Sequence, residues 1–112
     1  MSSSEVKAVR WTSKDLEGFP DNGIRYEIID GELFRTQMPH LHHQMVMGHV
    51  YFCLNIWSEK TDLGEAVFCP GIIFSESNDV IPDVVWNSHK RLAKLLDDDG
   101  DLRGAPELVV EV

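Results

Sequence analysis

Long hydrophobic runs are missing from this chain. Its apolar stretches reach only a handful of residues, where a helix crossing a bilayer needs about 20. The opening "MSSSEVKAVRW" has no apolar stretch of the kind a secretory signal requires. Cysteine is scarce: Cys53 and Cys69 are the only two, and they show no metal-ligand spacing. Without a secretion signal they read as reduced thiols in the core. Together these absences point to the cytoplasm. Positive charge is also in short supply, with 10 basic against 19 acidic residues and a formal charge of −9. That excludes a simple nucleic-acid coat protein, because phosphate contacts need a basic face. Part of the acidity is local. The run "DDDGD", Asp97 to Asp101, reads as a solvated loop, since like charges repel and stay in water. A calcium loop would need alternating ligands and a distal glutamate.

What is present suits one small domain. The chain has 112 residues and is 43% hydrophobic, enough for a modest core and too apolar for a disordered tail. We expect a flexible N-terminus over residues 1–10 and a folded domain over 11–112. "WTSKDLEGF" predicts a short helix with Thr12 or Ser13 as its cap, ended by the turn residues "PDNG". "IRYEIIDGELFRT" predicts a hairpin about Asp30-Gly31, a pair that accepts the positive φ of a tight turn. Pro39 opens the next segment. From His43 to about Lys60 the period becomes helical. Val46, Val50, Cys53, Leu54 and Trp57 form one stripe, predicted to be buried, and Gly64 closes the helix. "EAVFCPGIIFSES" predicts a strand bent at Pro70-Gly71. "NDVIPDVVWN" predicts another after a turn at Asn78-Asp79. "SHKRLAKLL" predicts a helix capped by Ser88, and "ELVVEV" the last strand. Alternating strands and helices suggest a mixed sheet with helices packed on it.

Two acidic residues stand out by their neighbours. Asp83 lies in "VIPDVVW" and Glu111 in "LVVEV", both among β-branched residues of the buried kind. An isolated charge there costs several kcal/mol unless it is paired, hydrogen-bonded or bound to metal. Carboxylates on neighbouring strands could share one Mg²⁺, which keeps several waters and needs few protein ligands. The plainer alternative has Asp83 capping the Pro82 turn and Glu111 facing solvent at an edge. His40, His42, His43 and His49 crowd one region, but no second cluster completes a zinc site.

Taken in order, "RYEIIDGELF", a helix opening with "HHQ", "IPDVV" and "APELVVEV" resemble the Uma-type family of bacterial restriction endonucleases, within the PD-(D/E)xK nuclease superfamily. Each motif alone is weak, and the ordered set from about Trp11 to Val112 carries the likeness. The resemblance implies an α/β domain of restriction-endonuclease-like type, a mixed sheet flanked by helices. It implies metal-dependent hydrolysis of phosphodiester bonds in DNA, with Mg²⁺ or Mn²⁺ as cofactor. Asp83 and Glu111 would be the metal ligands. Glu27 or Glu32, in the hairpin, would orient water or metal, and His43 matches the family's histidine.

One departure counts against full activity. The family continues past "EV" with a serine-containing turn and a helix bearing its lysine, whereas here the lysines are Lys7, Lys14, Lys60, Lys90 and Lys94. A C-terminally truncated and impaired nuclease is therefore expected, its last apolar strand exposed to pairing with a second copy. The alternative is a non-catalytic dimerisation or protein-interaction module on a degraded nuclease fold.

Overall fold

A computed structural model describes residues 9–36 and 40–112. Most of the expected flexible N-terminus, and Pro39, lie outside the described residues. The elements run α1 (Ser13–Leu16), β1 (Arg25–Ile29), β2 (Glu32–Thr36), α2 (Leu41–Thr61), β3 (Gly64–Phe68), β4 (Ile72–Ser75), β5 (Asn78–Val80), β6 (Val84–Ser88), α3 (His89–Leu95) and β7 (Leu108–Val110).

Local chemistry sets the ends of these elements. Thr12 caps α1, its N–H donating to Asp15 Oδ2 at 2.9 Å. Asp30 and Gly31, with φ of 50° and 75°, make the tight turn that pairs Ile29 with Glu32. Ser88 caps α3 by accepting from the Arg91 N–H. Asp97 organises the acidic loop, accepting from the N–H groups of Asp99 and Asp101 and from Arg103. The run is thus a stapled turn rather than merely a solvated one.

The α/β class holds, with the strands divided between two antiparallel sheets among the described residues. One has the order β2-β1-β5-β4 and the other β3-β6-β7. The predicted bent strand is two strands in different sheets. Both arms of one long hairpin break at the same level, at Cys69-Pro70-Gly71 and at Ile81-Pro82-Asp83. The base, β3 with β6, belongs to one sheet, and the tip, β4 with β5, to the other. Proline donates nothing to a ladder, so a proline on each arm lets the sheet divide there. The turn at the tip falls at Glu76-Ser77, and Asn78-Asp79 begin β5. Around the junction, Ile72, Val85, Leu95 and Leu102 form the core, with Val67, Val80 and Leu92 against it.

Helix α2 corrects three expectations. It starts at Leu41, capped by His40, whose Nδ1 accepts from the His42 N–H. It ends at Asp62 in the left-handed conformation rather than at Gly64. Gly64 instead begins β3, where a Cβ would run into the Asn87 carbonyl and the Trp86 ring. The stripe is rotated as well. Val46 and Trp57 are 48% and 44% exposed, and Cys53 is exposed. The face turned toward β3 and β6 runs through His43, Met47, Val50, Tyr51, Leu54, Asn55 and Ser58. Trp86 fixes that rotation. Its indole N–H donates to Ser58 Oγ at 2.9 Å, and its ring lies 5.3 Å from that of Trp57. The helix is apolar on most sides, so two overlapping stripes fit the period, and the sheet selects one. Neither cysteine is a core residue, Cys69 being only half-buried.

Truncation at the junction should therefore cost more than truncation at the helix surface. We expect Ile72→Ala to lose about 2–5 kcal/mol of stability and Trp57→Ala distinctly less, both read from urea unfolding.

Candidate active site

The break in the long hairpin creates the site. The Cys69 N–H donates to the Asp83 carbonyl at 2.9 Å, just beyond the β3–β6 pairing. Asp83 therefore stands where the two sheets part, its residue only 2% exposed. A charge buried this far needs partners, and four come from distant parts of the chain. Arg25, on β1 of the other sheet, donates from Nη1 to Oδ1 at 3.3 Å. His43, on the first turns of α2, places Nε2 3.2 Å from Oδ2. The Val112 N–H donates to Oδ2 at 2.8 Å. Glu111 completes the set from the other direction, its Oε1 accepting from the Asp83 N–H at 3.2 Å.

The register explains that last exchange. Val84 pairs with Val110, so Asp83 and Glu111 face one another just past the ends of antiparallel β6 and β7. Each carboxylate takes a backbone N–H from the other segment. Glu27 is two residues from Arg25 on β1, so the strand alternation puts both on one face. Its Oε2 accepts from the Ile81 N–H at 2.7 Å. Glu32 stands apart, exposed at the hairpin turn opposite Ile29. His40 and His42 pair with one another, ring centres 4.9 Å apart, and His49 is exposed. Among the described residues no three His, Cys, Asp or Glu side chains form a ready metal cage. A recess of about 680 Å³, lined by Lys14, Phe19, Tyr26, Asp79, Asp101 and Arg103 among others, includes none of the candidates.

Of the candidates, Asp83, Glu111, Glu27 and His43 are brought together and Glu32 is not. Glu111 is exposed as a residue, as the plainer alternative had it and against the buried reading, because β7 is three residues long and ends before it. The sequence reading missed Arg25. The alternation in "RYE" puts Arg25 on the same strand face as Glu27, but nothing local to it points to a partner 58 residues away.

A family model described as "Uma2: Putative restriction endonuclease" matches residues 13–112. The chain belongs to the Uma2 family. No curated protein matches it. Among solved structures it resembles one described as "a putative nuclease belonging to DUF820 from Anabaena variabilis ATCC 29413", with a TM-score of 0.70 and 17% sequence identity. The match covers 89% of this chain and 56% of that one, so this chain spans little more than half of its neighbour's length. At that identity the likeness concerns the fold.

Charge divides the two central carboxylates of this Uma2 domain. Burial pushes Asp83 upward, but the Val112 N–H, Arg25 and His43 outweigh it and hold the carboxyl below its usual range. Burial also raises Glu111, and the neighbouring Asp83 charge raises it further, ahead of the lowering by the Asp83 N–H. An ionised Asp83 can only accept, so His43 meets it with an N–H on Nε2. His43 Nδ1 is buried without a hydrogen-bond partner among the described residues.

The two carboxylates should act on stability with opposite signs. A depressed folded-state pKa makes Asp83 stabilising above its unfolded value of about 3.9, and this is lost as pH falls through the lower folded value. Asp83→Asn should cost about 1.5–3 kcal/mol at neutral pH, the range for hydrogen bonds to charged groups, and flatten the acid limb. Glu111 is raised, so its charge costs stability above its unfolded value. Glu111→Gln, which keeps the acceptor, should leave neutral-pH stability unchanged or higher. Urea unfolding between about pH 3 and pH 7, spanning the carboxylate range, checks both.

Proposed function

We propose that this domain carries the catalytic face of a divalent-metal-dependent nuclease that hydrolyses phosphodiester bonds in DNA. The observation that carries the reading is the facing pair of Asp83 and Glu111, each hydrogen-bonded to the other's end of the sheet, with Glu111 pushed up by burial and then by its neighbour's charge. Like charges crowded at one point are relieved by a cation.

The donor set suits Mg²⁺ or Mn²⁺. It consists of carboxylate oxygens, and Mg²⁺ is commonly held by one or two carboxylates plus water and substrate phosphate rather than by a full protein cage. Asp83 and Glu111 would hold the ion, which supplies a Lewis acid for the phosphate and an acidified water. Glu27 sits on β1 of the other sheet with one oxygen committed to Ile81 and would orient water. His43 holds the Asp83 carboxylate in position. We place the protein in the cytoplasm. Among the described residues no helix is long and apolar enough to cross a membrane.

Activity of these 112 residues alone should be low. None of the described lysines, Lys14, Lys60, Lys90 and Lys94, is ion-paired with either central carboxylate. Lacking one preorganised donor to the developing charge typically costs about 10²–10³ in rate. The net charge of −9 also slows encounter with DNA. Nicking of supercoiled plasmid with Mn²⁺ is the test. We expect slow cleavage, abolished by chelation and by Asp83→Ala and unaffected by Glu32→Ala. Cleavage that survives Asp83→Ala, or no cleavage at any metal concentration even from a longer Uma2 chain containing this domain, rejects the reading.

A further inference from the structure

We propose that Arg25 is an exchangeable counter-cation of the site. It neutralises Asp83 while no metal is bound, and it turns to the substrate phosphate when a divalent cation takes Asp83 over. The inference rests on the metal-dependent reading above and adds a residue and a role to it.

Three observations carry it. First, Arg25 crosses from one sheet to the other to reach a carboxylate at the strand break. A buried Asp83 needs opposite charge there, and the guanidinium supplies it. Second, the grip is loose. The Nη1–Oδ1 distance is 3.3 Å, where strong charge-assisted pairs lie at about 2.7–2.9 Å. The second contact, Nη2 to Cys69 Sγ at 3.5 Å, is to a weak acceptor. A guanidinium has five donors, and those two contacts are the ones it makes among the described residues. Its side chain is 21% exposed, so it has an open direction in which to move. Third, Asp83 has little oxygen capacity to spare: Oδ1 serves Arg25, and Oδ2 serves His43 and the Val112 N–H. A cation taking Asp83 as a ligand competes first with Arg25, the partner that shares its charge sign and is held at the longest distance.

Displacement would do useful work. The freed guanidinium stays tethered to β1 beside Glu27, within the site, and its planar fork fits phosphate oxygens. It would provide the positive charge toward the phosphate that none of the described lysines is paired to supply. Arg25 would thus act as a switch between two anions, one belonging to the protein and one to DNA.

The experiment measures Mn²⁺ binding to the whole chain by electron paramagnetic resonance, and binding to a short DNA duplex in Ca²⁺ by fluorescence anisotropy. Removing a positive charge a few ångströms from a divalent ion should tighten Mn²⁺ binding by Arg25→Gln on the order of tenfold, while Arg25→Lys, which keeps the charge, stays within about twofold of the native protein. Arg25→Gln should bind the duplex more weakly in Ca²⁺, so the same change moves the two affinities in opposite directions. Asp83→Asn should abolish Mn²⁺ binding in every background. Unchanged or weaker Mn²⁺ binding by Arg25→Gln, with Asp83→Asn still abolishing it, overturns the exchange and leaves the metal site standing. Unchanged duplex binding by Arg25→Gln overturns the phosphate role. Mn²⁺ binding indifferent to Asp83→Asn removes the metal reading and the exchange with it. If Arg25→Gln does not fold by circular dichroism, the guanidinium N–H resonances of native Arg25 decide. Movement on addition of Mg²⁺ supports the exchange, and constancy at saturating Mg²⁺ overturns it.

Discussion

A carboxylate removed from water must be given hydrogen bonds and opposite charge, and most of what surrounds Asp83 answers to that requirement. The residue is only 2% exposed. Its partners come from β1, from the start of α2 and from the segment after β7. Without them the desolvation cost would be several kcal/mol, comparable to the whole stability of a small domain. The junction of the two sheets, the entry of α2 and the end of β7 are therefore tied together by one side chain. They are tied electrostatically as well as by packing.

The same arrangement separates two chemically similar residues. Asp83 has donors on both oxygens, which outweigh its burial and hold its carboxyl below the usual range. Glu111 has one backbone donor, and burial and then its charged neighbour push it the other way. Environments that drive two carboxylates apart are a recurring feature of sites that do acid–base or metal chemistry. Here the division follows from strand register. Val84 opposite Val110 sets Asp83 against Glu111, and the short β7 leaves Glu111 at the rim while Asp83 goes under.

Much of the fold was legible because its signals are local. The Asp30-Gly31 turn depends on φ values that those two residues accept. Thr12 and Ser88 cap helices through bonds spanning three residues. Helix α2 announced itself by its period. The face it buries did not, because Val46, Cys53 and Trp57 fit the period as well as Met47, Tyr51 and Ser58 do. The bond from Trp86 to Ser58 chooses between them, and it spans 28 residues. The divided hairpin was half legible. Pro70 marked a bend, but "NDVIPDVVWN" read as one strand, and the second break at Pro82, level with the first, became visible only once β3 was paired with β6.

The sequence by itself determined which residue types could carry the chemistry. A carboxylate among β-branched residues is costly if the run is buried, so Asp83 and Glu111 were conspicuous before any coordinates, though only Asp83 goes under. Glu27 and Glu32 could not be told apart, since both flank the same turn. Only tertiary structure decided between them, by bringing the Ile81 backbone to Glu27 and leaving Glu32 in solvent. Arg25 lay further out of reach. An exposed arginine on a strand is ordinary, and nothing local to it demands a partner. Its role arises because Asp83, 58 residues away, is buried without enough charge of its own neighbourhood to balance it. Burial is a property of the assembled sheets, and so is the need that Arg25 meets.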